Sequence, residues 1–537
     1  MGLNNKKQLM KKPKINEMYD AVLIGSGVGS LTTAAILADY GKKVIVLEKH
    51  HKIGGYTHAF RRKSWYWDVA VHYLNSMNPG DLFFHGCRYL TQNRLRWRKL
   101  PHVFDHFCFP DFQVDVPSEP DEYQSHLISL FPAEYKAIDR YFNDMELFSK
   151  RLQFLFLPKL LPGVLSKIAK PICRMMLKKT PEQSVEKYFQ QIGSSQKLKA
   201  AICAPWATYG GLPEECSVYE HWITYGSYRF GAWYPAGGAQ SISEYLKDFI
   251  EKKGGTVAVE SGVEEIVLDS TNKKAIGVRL ESSDVVHGKS IVSGVGIHST
   301  FTKLLPERQV PEEMKQVLKE YKNSVSYTQL FIGLKDDPSK IPGIDGSNYW
   351  ISSTTDFKQD LKELEPENDT NDLRVKAIML TFPSLKDPDA KAHTLTVCAW
   401  INFDQFAGWA DSDPSNRPND YKSLKRRLEI ALLEPVLARF PRLEEMIEYT
   451  TLGTPLTIKD HLSHGQGSAY GILSPPGRFS DDRLHPKTEI KELYLTGSDI
   501  ATSGVPGAFL GATVCASAIL NKIILSDLIK KDKRLYG

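Results

Sequence analysis

The chain has 537 residues, 42% of them hydrophobic and 24% charged, which is enough for a large core and two or three structural units. Its net charge of +5 is too small to argue for a nucleic-acid partner. The seven cysteines are scattered, odd in number and form no C-x-x-C pair, so neither a disulfide framework nor a metal site is expected, and the usage is that of a reducing compartment.

The N-terminus, MGLNNKKQLMKKPKINEM, is basic and runs into no apolar stretch, so it is not read as a secretory signal; Lys6 stands where a Gly2 acylation motif needs Ser or Thr. The pattern sharpens from Tyr19 to His50. Asp20–Ile24 reads as a buried parallel strand, Ser30–Tyr40 as a helix and Val44–Leu47 as a second strand, the spacing of a βαβ unit. Gly25 makes the tight turn, Gly27 lets backbone approach a pyrophosphate, and the helix that follows turns its free N–H groups to the phosphates. Ser30 occupies the third glycine position of G-x-G-x-x-G, which predicts a slightly looser helix–strand contact. Glu48 ends the second strand 23 residues after Gly25, where a carboxylate accepts both ribose hydroxyls of an adenosine.

Six residues further on comes the doublet Gly54–Gly55, then WYWDVAVHYL from Trp65 to Leu74. That segment alternates as a strand, with the tryptophans, Val69, Val71 and Tyr73 on one face and Asp68, Ala70 and His72 on the other. Residues 151–180 carry seven Lys/Arg and no acid among many Leu, Phe, Ile and Met, and prolines 158, 162 and 171 should break them into short pieces. Such a segment suits the interface of an anionic membrane, in preference to its alternative, a helical lid with a solvated basic face. Gln329–Leu334, Ile378–Phe382 and Thr394–Trp400 read as strands of an antiparallel sheet roofing an apolar tunnel, and Ser352–Asp372 as an exposed loop and helix.

Near the C-terminus LYLTGSD, Leu493–Asp499, is a short strand ending in Gly497 and Asp499, followed by GVPGAF and an apolar helix. An acid there can hold a ribityl hydroxyl. A helix starting near Val505 turns its positive end toward the pyrimidine side of a flavin. These features, with the N-terminal βαβ and Gly54–Gly55, select FAD over NAD. The uncharged run Ile500–Leu520 is then a helix buried under the flavin rather than a membrane span.

With these residues in place the sequence resembles the FAD-dependent carotenoid and retinoid oxidoreductases, the phytoene desaturase and carotenoid isomerase group, and within them the retinol saturase branch. The stretches that carry the resemblance are GGYTHAF, WDVAVHY, WATYGGLPEECSVYEHW, GAWYPAGGAQSISEYL, FPSLKDP, LGTPLT, SAYG and LYLTGSDIATSGVPGAFLGA, spread from about Tyr19 to Asp527. Ala70, Tyr56 and Thr57 depart from the group's pattern. The resemblance implies an α/β fold. A Rossmann-like FAD domain of the glutathione-reductase and amine-oxidase kind would be assembled from residues 19–80, 233–305 and 481–527. Residues 81–232 would form a helical substrate and membrane-contact segment, and 306–480 an α+β substrate domain with an antiparallel sheet. FAD contacts are expected from Gly25, Ser26, Gly27, Val28, Gly29, Glu48, Lys49, Gly54, Gly55, Val263, Gly497, Asp499 and Val505.

The implied activity is hydride transfer from reduced flavin N5 to one carbon of a conjugated polyene, with a side chain protonating its neighbour. His72, Tyr73 and His221 are the candidate proton donors, a hydrogen-bonded core role for His72 staying open. Electrons would come from a transiently bound NAD(P)H or a separate reductase, since no second G-x-G-x-x-G is present. The expected partners are an apolar polyene or isoprenoid lipid and, through 151–180, a membrane surface on its cytoplasmic side. A carotenoid isomerase or desaturase, and a flavin-free isoprenoid escort protein, are the alternatives; Gly25, Gly27, Glu48 and Asp499 argue against the last.

Overall fold

Strand β1 (Met18–Ile24), helix α1 (Val28–Asp39) and strand β2 (Val44–Leu47) form the expected βαβ unit, the helix beginning two residues before its predicted start. The computed structural model describes residues 13–14, 17–161, 163–178, 182–362, 373–462 and 465–537. Every residue of α1 from Val28 to Ala38 is buried, so the helix carries no amphipathic stripe. It lies between the sheet and two further helices, Gln240–Lys252 and Gly504–Leu520.

The first sheet runs parallel in the order Thr256–Ala258, β2, β1, Val285–Ser293, Leu493–Leu495, and an antiparallel pair, Val263–Leu268 with Ala275–Leu280, extends it from Val285–Ser293. Its strands therefore come from three separated stretches of chain. Ser30 is accommodated without a looser contact: a Cβ on the facing Gly294 would sit 1.9 Å from Ser30 Oγ, so one missing side chain makes room for the other.

The second sheet has the order Ile447–Gly453, Ser326–Leu334, His393–Ile401, Ala377–Thr381, Asn348–Ser352, Val103–Cys108, Gln113–Pro117, antiparallel except between Asn348–Ser352 and Val103–Cys108. Three of these strands match the predicted ones. The last two come from the segment expected to be helical, where Phe104, Val114 and Val116 alternate inward over runs too short to stand out. Of the polar stretch, Phe357–Lys362 is helical and 363–372 lie outside the described residues.

WYWDVAVHYL is a strand only over Trp65–Asp68, paired with Ala59–Arg62. The indole N–H groups of Trp65 and Trp67 donate to the carbonyls of Leu334 and Ile332, clamping this hairpin to the second sheet. The strand stops because buried Asp68 takes the Tyr234 hydroxyl and the Ala239 N–H (2.9 Å), drawing the chain out of register. Val69–Tyr73 then crosses as irregular chain. The expected two-faced strand over 69–74 is therefore wrong.

Leu152–Leu160 and Gly163–Leu177 are helices; Pro158 and Pro171 lie inside them instead of ending them, and Pro162 lies outside the described residues. Pro171 is tolerated because its helix is mostly exposed, so the carbonyl it orphans stays solvated. The basic face is partly consumed: Lys159 Nζ is buried on the carbonyls of Leu484 and Ile500, and Lys170 pairs with Asp482. Apolar side chains face outward instead, with Val164 73%, Ile168 59%, Ile172 54% and Met175 59% exposed. Among the described residues no single helix is long and apolar enough to cross a membrane.

Helix Gly504–Leu520 is largely buried, as expected, and crosses α1 at Gly497. A Cβ on Gly511 would lie 2.0 Å from Gly497 O, and one on Gly29 would lie 2.7 Å from Gly497 Cα. Both helices thus pack on the same glycine. Gly511→Ala is expected to cost about 1–3 kcal/mol through overpacking. Thermal unfolding reads it, and an unchanged midpoint would contradict the contact.

Candidate flavin and substrate site

A cavity of about 500 Å³ opens between the two sheets, lined at one end by the turns of the first sheet and at the other by aromatic residues of the second. All thirteen predicted cofactor residues line it: Gly25, Ser26, Gly27, Val28, Gly29, Glu48, Lys49, Gly54, Gly55, Val263, Gly497, Asp499 and Val505. Gly25 holds the turn at φ +81°, and Gly54 and Gly55 bring a second turn against Gly27, where a Cβ on Gly55 would sit 3.2 Å from Gly27 Cα. A Cβ on Gly27 itself would meet no protein atom within 4 Å, so the backbone borders open space there.

The residues fit FAD. Helix α1 has no side-chain cap and no acid in its first turn, which leaves N–H groups and the positive end of the helix dipole for a pyrophosphate. Helix Gly504–Leu520 brings a second positive end to the same cavity. Glu48 is fixed by Ser26 N (2.9 Å), Ser26 Oγ (2.5 Å) and His50 N (2.7 Å), and its spare lone pairs suit ribose hydroxyls. Asp499 accepts from Ile297 N (2.8 Å) and Ile472 N (3.0 Å), tying two loops to the strand end from which it faces the cavity. Lys49 pairs with Glu281 at 3.1 Å.

Two groups essential to this end carried no sequence signal. Buried Arg478 donates to the carbonyls of Ile472, Ser498 and Asp499 and to Ser474 Oγ, shaping the loop before the C-terminal helix. Fully buried Glu220 accepts from Thr502 Oγ1 (2.7 Å), Ser503 N (3.0 Å) and Ser474 Oγ (2.9 Å), fixing the residues that lead into that helix. It is His221's neighbour, and the helix Val218–Tyr228 that holds both turns the carboxylate, not the imidazole, toward the flavin loops.

The candidate proton donors separate. His221 does not reach the cavity: it is 0% exposed, its Nε2 meets Tyr141 Oη at 2.9 Å, and burial pushes its pKa down to about 3. It is a neutral core histidine, which corrects its expected role. His72 does line the cavity, with Nε2 3.2 Å from Gln329 Nε2 and 3.4 Å from Cys398 Sγ. Burial, with the Lys386 ammonium nearby, lowers its pKa to about 3, so it offers no imidazolium at neutral pH. Tyr73 also lines the cavity and donates to buried Asp105 Oδ2 at 3.0 Å.

Behind this wall Lys386, 2% exposed, donates to His72 O (3.0 Å), Thr381 Oγ1 (2.6 Å) and Asn348 Oδ1, and sits 5.5 Å from the Tyr73 ring centre. Asn348 Nδ2 reaches Asp105 Oδ1 at 2.9 Å, so one amide spans the buried cation and carboxylate. Burial lowers Lys386 to about 7 and raises Asp105 to about 6. FPSLKDP gave no hint of this, because a lysine in a polar turn is ordinarily exposed.

Residues 31–520 match the flavin containing amine oxidoreductase family. An all-trans-retinol 13,14-reductase of Danio rerio is 32% identical, covering 100% of this chain and 92% of that protein. A chloroplastic prolycopene isomerase of Daucus carota is 26% identical over 93% of this chain and 80% of its own. Among solved structures, cyclohexylamine oxidase from Brevibacterium oxydans superposes with a TM-score of 0.57 at 16% identity, covering 94% of this chain and 99% of that one, which supports the fold.

The titration of His221 gives a stability test. The unfolded histidine takes a proton near pH 6.5 while the folded one stays neutral down to about 3. Native stability therefore falls as pH drops through 6.5, by up to about 1.4 kcal/mol per unit. His221→Phe should lose less stability than the wild type between pH 7 and 5, measured by denaturant unfolding; parallel losses would contradict it.

Proposed function

The chain belongs to the flavin containing amine oxidoreductase family and is an FAD-dependent oxidoreductase, and on that premise we propose that it saturates a carbon–carbon double bond of a conjugated polyene lipid of the retinoid class. The observation that carries the reading is the far wall of the cavity. Tyr228, Tyr327, Trp350, Met379, Trp400 and Tyr470 make it aromatic and apolar, while the cavity's carboxylates, Glu48, Glu264 and Asp499, stand with the nucleotide-binding turns. Among the described residues a cationic amine finds no counter-charge at that wall; a polyene finds π-faces and an apolar surface. The relative named for reducing the 13,14 bond of all-trans-retinol supports the same reading.

Reduced flavin, when bound, supplies the hydride. The chain supplies the proton and the orientation. With His72 held neutral, the proton is assigned to the Tyr73 hydroxyl, which lines the cavity and which burial and the neighbouring Asp105 carboxylate keep protonated by holding its pKa well above the usual phenol range. Two electrons and two protons then arrive from outside per turnover: a hydride and a proton if NAD(P)H binds transiently, or electrons from a separate reductase with both protons from solvent.

Anaerobic incubation of photoreduced enzyme with all-trans-retinol should give a product heavier by two hydrogens. Tyr73→Phe should keep its flavin and lose about 10²–10⁴-fold in turnover, the range for a positioned proton donor. His72→Ala should lose less. An unchanged mass would contradict the reading, and a changed retention time at that mass would move it to isomerisation.

The exposed stripe Val164, Ile168, Ile172 and Met175 is assigned to a peripheral contact with the cytoplasmic side of a membrane, from which a lipid substrate would enter. The wild type should float with anionic liposomes. The double variant Ile168→Glu/Ile172→Glu should not, although it retains flavin; flotation of both would contradict the contact.

A further inference from the structure

Asp105 is 3% exposed and lies outside the lining of the main cavity, which it meets through the Tyr73 hydroxyl, 3.0 Å from its Oδ2. Its two oxygens are not equivalent. Oδ1 accepts from Asn348 Nδ2 at 2.9 Å and from Trp350 Nε1 at 3.2 Å, N–H groups that do not titrate. The Asn348 amide cannot turn round, because its own Oδ1 takes the Lys386 ammonium and the Thr381 hydroxyl (2.9 Å). Lys386 directs its N–H groups at Asn348 Oδ1, Thr381 Oγ1 (2.6 Å) and the His72 carbonyl (3.0 Å), three acceptors that only the ammonium form fills. A proton added to Asp105 therefore has one place, Oδ2, facing Tyr73. A phenol has a single hydrogen to donate. While Asp105 is ionised, Oδ2 takes that hydrogen and Tyr73 has none for a substrate.

We propose that Asp105 is the positioning residue behind Tyr73 and the source of its replacement proton. Protonated on Oδ2, it donates to the Tyr73 oxygen and turns the phenolic hydrogen into the cavity. As a substrate carbon takes that hydrogen, Asp105 supplies its own. The inference rests on the polyene-reductase reading above and deepens it. Bonds and charge balance within the site. Hydride from reduced flavin reaches one carbon of the double bond, and the Tyr73 O–H bond breaks as a C–H bond forms at the neighbouring carbon. The Asp105 O–H bond breaks as the Tyr73 O–H bond re-forms, and the charge comes to rest on a carboxylate across Asn348 from the Lys386 ammonium. No phenolate is left behind. Burial holds Tyr73 well above the usual phenol range, whereas it raises Asp105 only to about 6, opposed by Asn348, Tyr73, Trp350 and Lys386. The other titratable groups facing the pair are Tyr123, Tyr228 and Tyr470, all pushed up by burial and neutral near pH 7, and Lys386, which has His72 and Cys398 as its own neighbours.

The test is single-turnover reduction of all-trans-retinol by photoreduced holoenzyme across pH, with infrared pH-difference spectra of the oxidised holoenzyme beside it. The wild-type rate should be level below about pH 6 and fall about tenfold per pH unit above it, because only protonated Asp105 frees the Tyr73 hydrogen. Asp105→Asn keeps an acceptor for Asn348 and Trp350 and an N–H for Tyr73, but has no proton to pass. It should keep its flavin, lose about 10²-fold or more at about pH 6, and show no such break. An Asp105 that only braces the fold would leave the wild-type profile flat. In the infrared, a carboxylic acid band identified by its loss in Asp105→Asn should grow in on acidification, together with a shift of the tyrosine C–O band that Tyr73→Phe removes. A wild-type rate independent of pH, a break that survives in Asp105→Asn, or a carboxyl band without the tyrosine shift would each overturn the relay. The infrared reads the pair without turnover, so a coupled Asp105 and Tyr73 in an enzyme that reduces no retinol defeats the proposed reaction and leaves the hydrogen-bond reversal standing.

Discussion

The structure depends on a three-way contact at Gly497. Helix α1, from the N-terminus, and helix Gly504–Leu520, from the C-terminus, both pack against this one residue, through Gly29 and Gly511. Only residues without side chains allow two helices and a strand end to meet so closely. The consequence is electrostatic. Two helix N-termini from opposite ends of the chain face one cavity. Glu220 and Arg478, both buried, hold the loop between strand and second helix so that its backbone, and not a mobile side chain, forms the cavity edge.

The substrate end is built on the opposite plan. Its charges are withdrawn from the cavity wall and spanned by Asn348: Lys386 under the His72–Tyr73 peptide, Asp105 under the Tyr73 hydroxyl. Taking an ion out of water costs several kcal/mol, so this pair persists only because each partner's hydrogen bonds are filled. What the cavity sees is a neutral imidazole, a phenol and a ring of aromatic side chains. Such a wall suits an uncharged conjugated chain.

The nucleotide half was legible in the sequence because its signals are short-range: β1, α1, β2 and Glu48 follow within thirty residues of one another, and LYLTGSD precedes its helix directly. What escaped reading depends on contacts between distant segments. Ser30 fits because of Gly294, which no local pattern announces. Glu220 and His221 are neighbours on one helix, and only tertiary packing decides that the glutamate meets the flavin loops while the histidine stays in the core. The alternation of WYWDVAVHYL runs on past Asp68, but two hydrogen bonds from residues more than 160 positions away end the strand there. Lys386 and Asp105 were invisible because buried charges are rare enough that composition argues against them.

The most direct test of the whole account is a stopped-flow record of photoreduced enzyme mixed anaerobically with all-trans-retinol, following flavin and polyene absorbance together. The account predicts that oxidised flavin returns as polyene absorbance is lost, one for one. Flavin that stays reduced while the polyene spectrum shifts without loss of conjugation would contradict it.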